Sequence, residues 1–113
     1  MKIIENKELP LFDDPRWEMQ ADLSGQRYIF EVDYNTRQDL WTMLIKDANG
    51  ELLIAGLRLV PGVDFLEKFH ASSPGLPPGE LTLVDREDDL GTAEVTRGNL
   101  SKRFALVYSV VEW

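Results

Sequence analysis

The stretch from Arg37 to Val60 sets two apolar runs on either side of Asp47-Ala48-Asn49-Gly50. Asn-Gly between apolar runs is the strongest local signal for a β-hairpin. A two-residue loop would pair Ala48 with Glu51 and mix Thr42 and Lys46 into a face with Leu40, Leu44, Leu53, Ala55, Leu57 and Leu59. A type I turn from Asp47 to Gly50, with Gly50 left-handed as a bulge, pairs Asp47 with Glu51 instead. It gathers Trp41, Met43, Ile45, Leu53, Ala55, Leu57 and Leu59 on one apolar face. Asp at the first turn position suits type I, and a one-residue slip moves every side chain to the other face, so the bulged turn is preferred. The opposite face then carries Leu40, Thr42, Leu44, Lys46, Leu52, Ile54, Gly56 and Arg58. Large aliphatics among polar residues need cover, because big exposed apolar patches mark contacts. Cover by the same domain is one reading. A subunit interface is the other, and it makes Leu40, Leu44, Leu52 and Ile54 candidate partner-binding residues.

A second hairpin signal, Ser24-Gly25, lies within Arg16 to Asp33. A two-residue turn there sets Ala21 opposite Tyr28, Met19 opposite Phe30 and Trp17 opposite Val32 on a dry face. The wet face pairs Arg16 with Asp33 and Asp22 with Arg27, with Glu18 against Glu31 as its like-charge clash. The final strand, from about Arg103 to Trp113, is apolar on both faces: Phe104, Leu106, Tyr108 and Val110 on one, Ala105, Val107, Ser109 and Val111 on the other. That pattern reads as a central strand. Glu80 to Val84 is a further strand, and Ala93 to Thr96 a short one. Short strands between turn signals predict an all-β fold, a small antiparallel barrel or sandwich built from two hairpins plus a C-terminal central strand, in one domain over residues 1–113. Trp17, Met19, Phe30, Trp41, Ile45, Leu57, Leu106 and Tyr108 are its expected core.

The connecting segments supply the other candidate contacts. Residues 1–14 read as an N-terminal arm or an edge strand, and Leu9, Leu11 and Phe12 need a surface to lie on, in the same domain or in a neighbouring subunit. The Pro/Gly-rich region 61–79 is long for a structureless loop in a compact domain. Within it Phe65 and Phe69 stack at i, i+4 over one helical turn, and His70 to Gly79 reads as exposed. Phe65, Phe69, His70 and the closing Trp113 join the candidate partner-binding set.

Composition excludes several chemistries. With no cysteine there are no disulfides or thiolate metal sites, and the single histidine, His70, cannot build a multi-histidine centre within one chain. The run Leu52 to Leu57 is too short to span a membrane, and Met1 to Lys7 lacks the apolar stretch of a signal peptide. A net charge of −8 argues against binding nucleic acid or anionic lipid, although solubility alone accounts for the same charge. There is no HExxH, P-loop, GxSxG or dinucleotide fingerprint. The carboxylates of Asp85 to Asp89 and of Asp47, Asn49 and Glu51 do not match an EF-hand loop. No catalytic residue, cofactor or metal site is nominated.

The run Tyr34-Asn35-x-Arg37-x-x-x-Trp41 resembles the baseplate plug family of contractile-tailed bacteriophages. The resemblance continues through Asp47-x-x-Gly50, Gly56, Leu59-Val60-x-Gly62 and Asp64-Phe65-Leu66, then Pro78-Gly79-x-Leu81, Asp85 and Phe104-Ala105-Leu106-Val107-Tyr108. It implies a non-enzymatic structural protein of the virion, made in the bacterial host cytoplasm and present in several copies. It would pack against tail hub, tube and other baseplate proteins at the distal end of the tail, binding neither nucleic acid nor membrane. The alternative from another class is a ligand-binding β-barrel for a carbohydrate or other small molecule, which needs an interior not filled by Trp17, Phe30 and Trp41.

Overall fold

The structure, a computed structural model, describes residues 2–87 and 93–112. Among the described residues, seven strands run in chain order: β1 (Lys2–Leu9), β2 (Arg16–Leu23), β3 (Gln26–Asn35), β4 (Leu40–Asp47), β5 (Leu52–Arg58), β6 (Glu80–Asp85) and β7 (Phe104–Glu112). They form two antiparallel sheets, β2-β3-β4-β5 and β1-β7-β6. The sheets do not close into a barrel. They enclose a core that includes Trp17, Phe30, Trp41, Ile45, Leu106 and Tyr108, all buried. The all-β expectation is therefore realised as a sandwich, with β7 central in the smaller sheet, and the interior a ligand-binding barrel would need is filled by side chains.

The β2–β3 hairpin has the expected pairing, Trp17 with Val32, Met19 with Phe30 and Ala21 with Tyr28. Ser24 and Gly25 are both left-handed, with φ of 52° and 82°, so the turn twist matches the strands. The Glu18–Glu31 clash is relieved by a third strand: Lys46 of β4 lies 2.5 Å from Glu31. The hydrogen bond and charge of Glu31 hold the Lys46 ammonium above the usual lysine value.

The organising turn is the bulged one. The Asp47 N–H donates to the Glu51 carbonyl at 2.9 Å, the Gly50 N–H donates to the Asp47 carbonyl at 3.0 Å, and Gly50 has φ 84°. Beyond it the faces depart from the expected alternation. Lys46 pairs with Leu52, but Ile45 pairs with Ile54 and Met43 with Leu57, with a register shift at each step. The first shift turns Ile54 inward (8% exposed) and leaves Ala55 exposed and Leu53 half-buried. The second falls beside Gly56, at φ 75°, and restores Leu57 and Leu59 to the core. A bulge inserts one residue and so reverses the facing of the residues beyond it, which is why Leu53 and Ala55 do not share the Trp41 face.

The 61–79 segment is packed along much of its length, and of the stretch 70–79, expected to be exposed, Leu76, Pro77 and Gly79 are buried while Ala71, Ser72, Pro74, Gly75 and Pro78 are exposed. It lies along β6, where the Phe65 N–H reaches the Leu81 carbonyl at 2.9 Å and the Gly62 N–H the Leu83 carbonyl at 3.3 Å. Asp64 Oδ1 accepts from the N–H groups of Leu66 and Leu81, both at 3.1 Å. After a 3-10 turn at Glu67–Phe69, the chain crosses to the other sheet. There Ser73 Oγ donates to the Leu53 carbonyl at 2.9 Å and Tyr28 Oη to the Gly75 carbonyl at 3.2 Å. Leu76 is buried, so the segment seals the β5–β6 side of the sandwich. Residues 93–96 form no strand; the Thr96 carbonyl accepts from Trp41 Nε1 at 2.9 Å. A single helical turn, α1 (Leu100–Arg103), leads into β7. Arg103 grips the buried Asp85 through two bonds of 2.8 and 2.9 Å. Asp88 and Asp89 of the acidic run lie outside the described residues.

Candidate functional site

Once the core is closed, what this fold offers a partner is its surface, and the candidate residues divide sharply there. Leu9 (2% exposed), Ile54 and Phe65 (5%) are buried in this chain's own core. Leu9 ends β1 opposite Leu106, Ile54 is turned in by the bulge, and Phe65 is carried under the loop by the bridge to β6. They are therefore not presented to a neighbour. Phe69 is half-buried against the core, and His70 is half-buried with Nε2 3.1 Å from the Pro77 carbonyl. Leu11 packs against the core, while Phe12 stands 42% exposed and meets Trp17 edge-on at 5.7 Å. Leu52 is 53% exposed. Trp113 lies outside the described residues.

Leu40 and Leu44 do come together, on the outer face of the four-stranded sheet, but their surroundings are wet. Thr42 separates them along β4, and ion pairs flank them: Arg16–Asp33 at 3.2 Å and Lys46–Glu31, with Arg27–Asp22 at 3.0 Å farther along, toward the β2–β3 turn. The charges of this face are largely answered within the face. A shallow hollow of about 110 Å³ opens there beside Gly56.

The outer face of the smaller sheet is of another kind, and none of its residues was a candidate. β7 contributes Ala105, Val107, Ser109 and Val111, with no charge among them. β6 adds Thr82 and Val84 (44% exposed), and β1 adds Ile3 (57%) opposite Val111. Toward one end this strip runs into a groove of about 500 Å³, lined by Thr82, Ser109 and Val111 from the strip, by Asp64, Glu67, His70 and Glu80, and by Gly62, Pro78 and Gly79. The available signal was the second apolar face of β7, from which only a central position in the sheet was read. Among the described residues no group of His, Asp and Glu is placed to hold a metal ion, and no helix is long and apolar enough to cross a membrane.

A family profile described as "Cyanophage baseplate Pam3 plug gp18" matches residues 6–111. The chain belongs to this baseplate plug family. That makes it a structural component of a tailed-phage baseplate, located in the virion tail. No curated protein sequence matches it. The residues that carried the resemblance are the fold's staples. Tyr34 pairs with Trp41 across β3 and β4, the rings 5.1 Å apart. Asn35 Oδ1 accepts from the N–H groups of Arg37 and Gln38, at 3.0 and 3.1 Å, and so builds the turn between them. Gly79 lets its N–H reach Tyr108 Oη at 2.8 Å, with Ser24 Oγ 2.8 Å away on the same hydroxyl.

Proposed function

We propose that this chain plugs the distal end of a contractile phage tail, in several copies, by packing against the hub and tube proteins. The observation that carries the reading is the family match along residues 6–111. On this reading the chain works by shape and adhesion, without catalysis, and needs no cofactor. It contacts its neighbours through more than one patch: the arm at Leu11 and Phe12, the sheet face with Leu40 and Leu44, the exposed Leu52, and the loop around Phe69 and His70. Loops and outer faces can carry such contacts without disturbing the core. A net charge of −8 suits a protein beside a DNA passage, which it would repel.

The test is genetic and biochemical together. Tails assembled in a host lacking this chain are compared with wild-type tails, and purified chain is then added back. The expected result is the chain in the purified tail fraction, defective baseplates without it, and its hub and tube neighbours recovered by cross-linking. Purified infectious tails that never contain the chain would end the proposal.

A further inference from the structure

We propose that the outer face of β1-β7-β6, with the groove at its end, docks a basic segment of a neighbouring tail protein, one carrying lysine or arginine beside small apolar residues. This rests on the baseplate reading above and names the surface and the chemistry of the partner. On β7 and β6 the strip is built from alanine, serine, threonine and valine side chains, with Val107, Ser109 and Val111 half-buried and Val84 and, on β1, Ile3 exposed. Such a surface suits close approach by another backbone, and a contiguous exposed apolar strip marks a contact.

The groove supplies the selectivity. Its walls are preformed: a Cβ on Gly79 would lie 2.5 Å from the Ser109 carbonyl oxygen and 2.7 Å from the Tyr108 ring, and Asp64 is fixed by two backbone N–H groups. Glu67 and Glu80 are exposed and have no ion-pair partner among the described residues. Lys68 does not line the groove, and His70 Nε2 is engaged by the Pro77 carbonyl. The other sheet pairs most of its charges, and on this one Glu8, opposite Val107, is paired with Arg86 at 2.9 Å, whereas Glu67 and Glu80 at the groove stand uncompensated at the end of the strip. Complementarity therefore asks for positive charge. A second copy of the chain would oppose the same carboxylates at −8 net charge each, and a nucleic acid would bring phosphates against them, so both are disfavoured.

The probe is the tail particle assembled without this chain. Wild-type chain should bind it, with affinity that falls as salt rises. E67K/E80K should weaken binding by at least about tenfold, an interfacial charge effect, and V107D should weaken it too. Q20D, at an exposed position of β2 on the opposite sheet and in none of the patches named above, should bind like wild type. Circular dichroism melts confirm that each variant folds; should the double variant not fold, E80K alone carries the test. Wild-type affinity for folded E67K/E80K or E80K overturns the proposal, as does loss of binding in Q20D alone. Failure of the wild-type chain itself to bind overturns the baseplate reading instead, which keeps the two failures distinct.

Discussion

Gly50 and Gly79 are both needed, for opposite reasons. At Gly50 the backbone is left-handed and nothing lies within 4 Å of an added Cβ. Gly50→Ala should therefore cost about 1–2 kcal/mol from backbone conformation alone. Gly79 carries the reverse problem, a Cβ driven into the β7 backbone. Gly79→Ala should cost about 1–3 kcal/mol or more as the loop is pushed off Tyr108. Urea denaturation measures both, and a Gly79→Ala variant as stable as wild type would contradict the packing described. The two core tryptophans offer a paired comparison. Trp41 is buried between Trp17 and Tyr34, and its N–H reaches Thr96. Trp17 Nε1 is buried with no partner among the described residues. Trp41→Ala should cost about 3–5 kcal/mol. Trp41→Phe should cost more than Trp17→Phe by about 1 kcal/mol, the net worth of the lost hydrogen bond. Equal losses would show that the Thr96 bond contributes nothing.

Among the elements, the 61–79 segment behaves as a wall of the sandwich rather than an appendage. Removing residues 71–77 would take out the buried Leu76 and the Ser73 and Gly75 contacts to β5 and β3. An excision here should unfold or loosen the domain, contrary to what an exposed loop would allow. Leu76→Ala should cost about 2–5 kcal/mol, and a melt unchanged from wild type would return the segment to the status of a tail. The contact with β3 also has a pH signature. Burial, helped by nearby Tyr108, pushes the Tyr28 phenol above its usual 10.0. The unfolded chain therefore sheds this proton first. The contribution is complete below pH about 10 and is lost as pH rises toward the folded value. Urea melts across this range should show the alkaline loss reduced in Tyr28→Phe. An identical alkaline slope would place its cause elsewhere.

At the scale of the whole molecule, the two outer faces are unequal, and the inequality comes from how charge is distributed. β2, β3 and β4 carry alternating charges that pair with each other across the strands. β7 carries none on its outer face; of the carboxylates near it, Glu8 on β1 pairs with Arg86, and Glu67 and Glu80 stand at the groove. With a net charge of −8, the chain should show no measurable affinity for duplex DNA at moderate salt. Fluorescence anisotropy with a labelled duplex checks this. Tight binding that collapses as salt rises would mean that a phosphate-neutralising surface exists after all.

Both hairpins, the type I turn with its left-handed Gly50, and the core from Trp17 to Tyr108 were legible in the residue order. Turn chemistry and period-two alternation act between residues close along the chain. The reversal of Ile54 was not legible, because a bulge is settled by how Ile45 and Met43 pack against β5, and alternation carries no mark of it beyond Gly56. Nor was the burial of Leu9, Phe65 and Leu76, which depends on strands and loops meeting from distant parts of the chain. The same holds for the candidate surface. Two apolar faces on β7 establish that both can be covered, but not by what. Only the placement of β7 between β1 and β6, at the outside of a two-layer sandwich, turns its second face toward solvent.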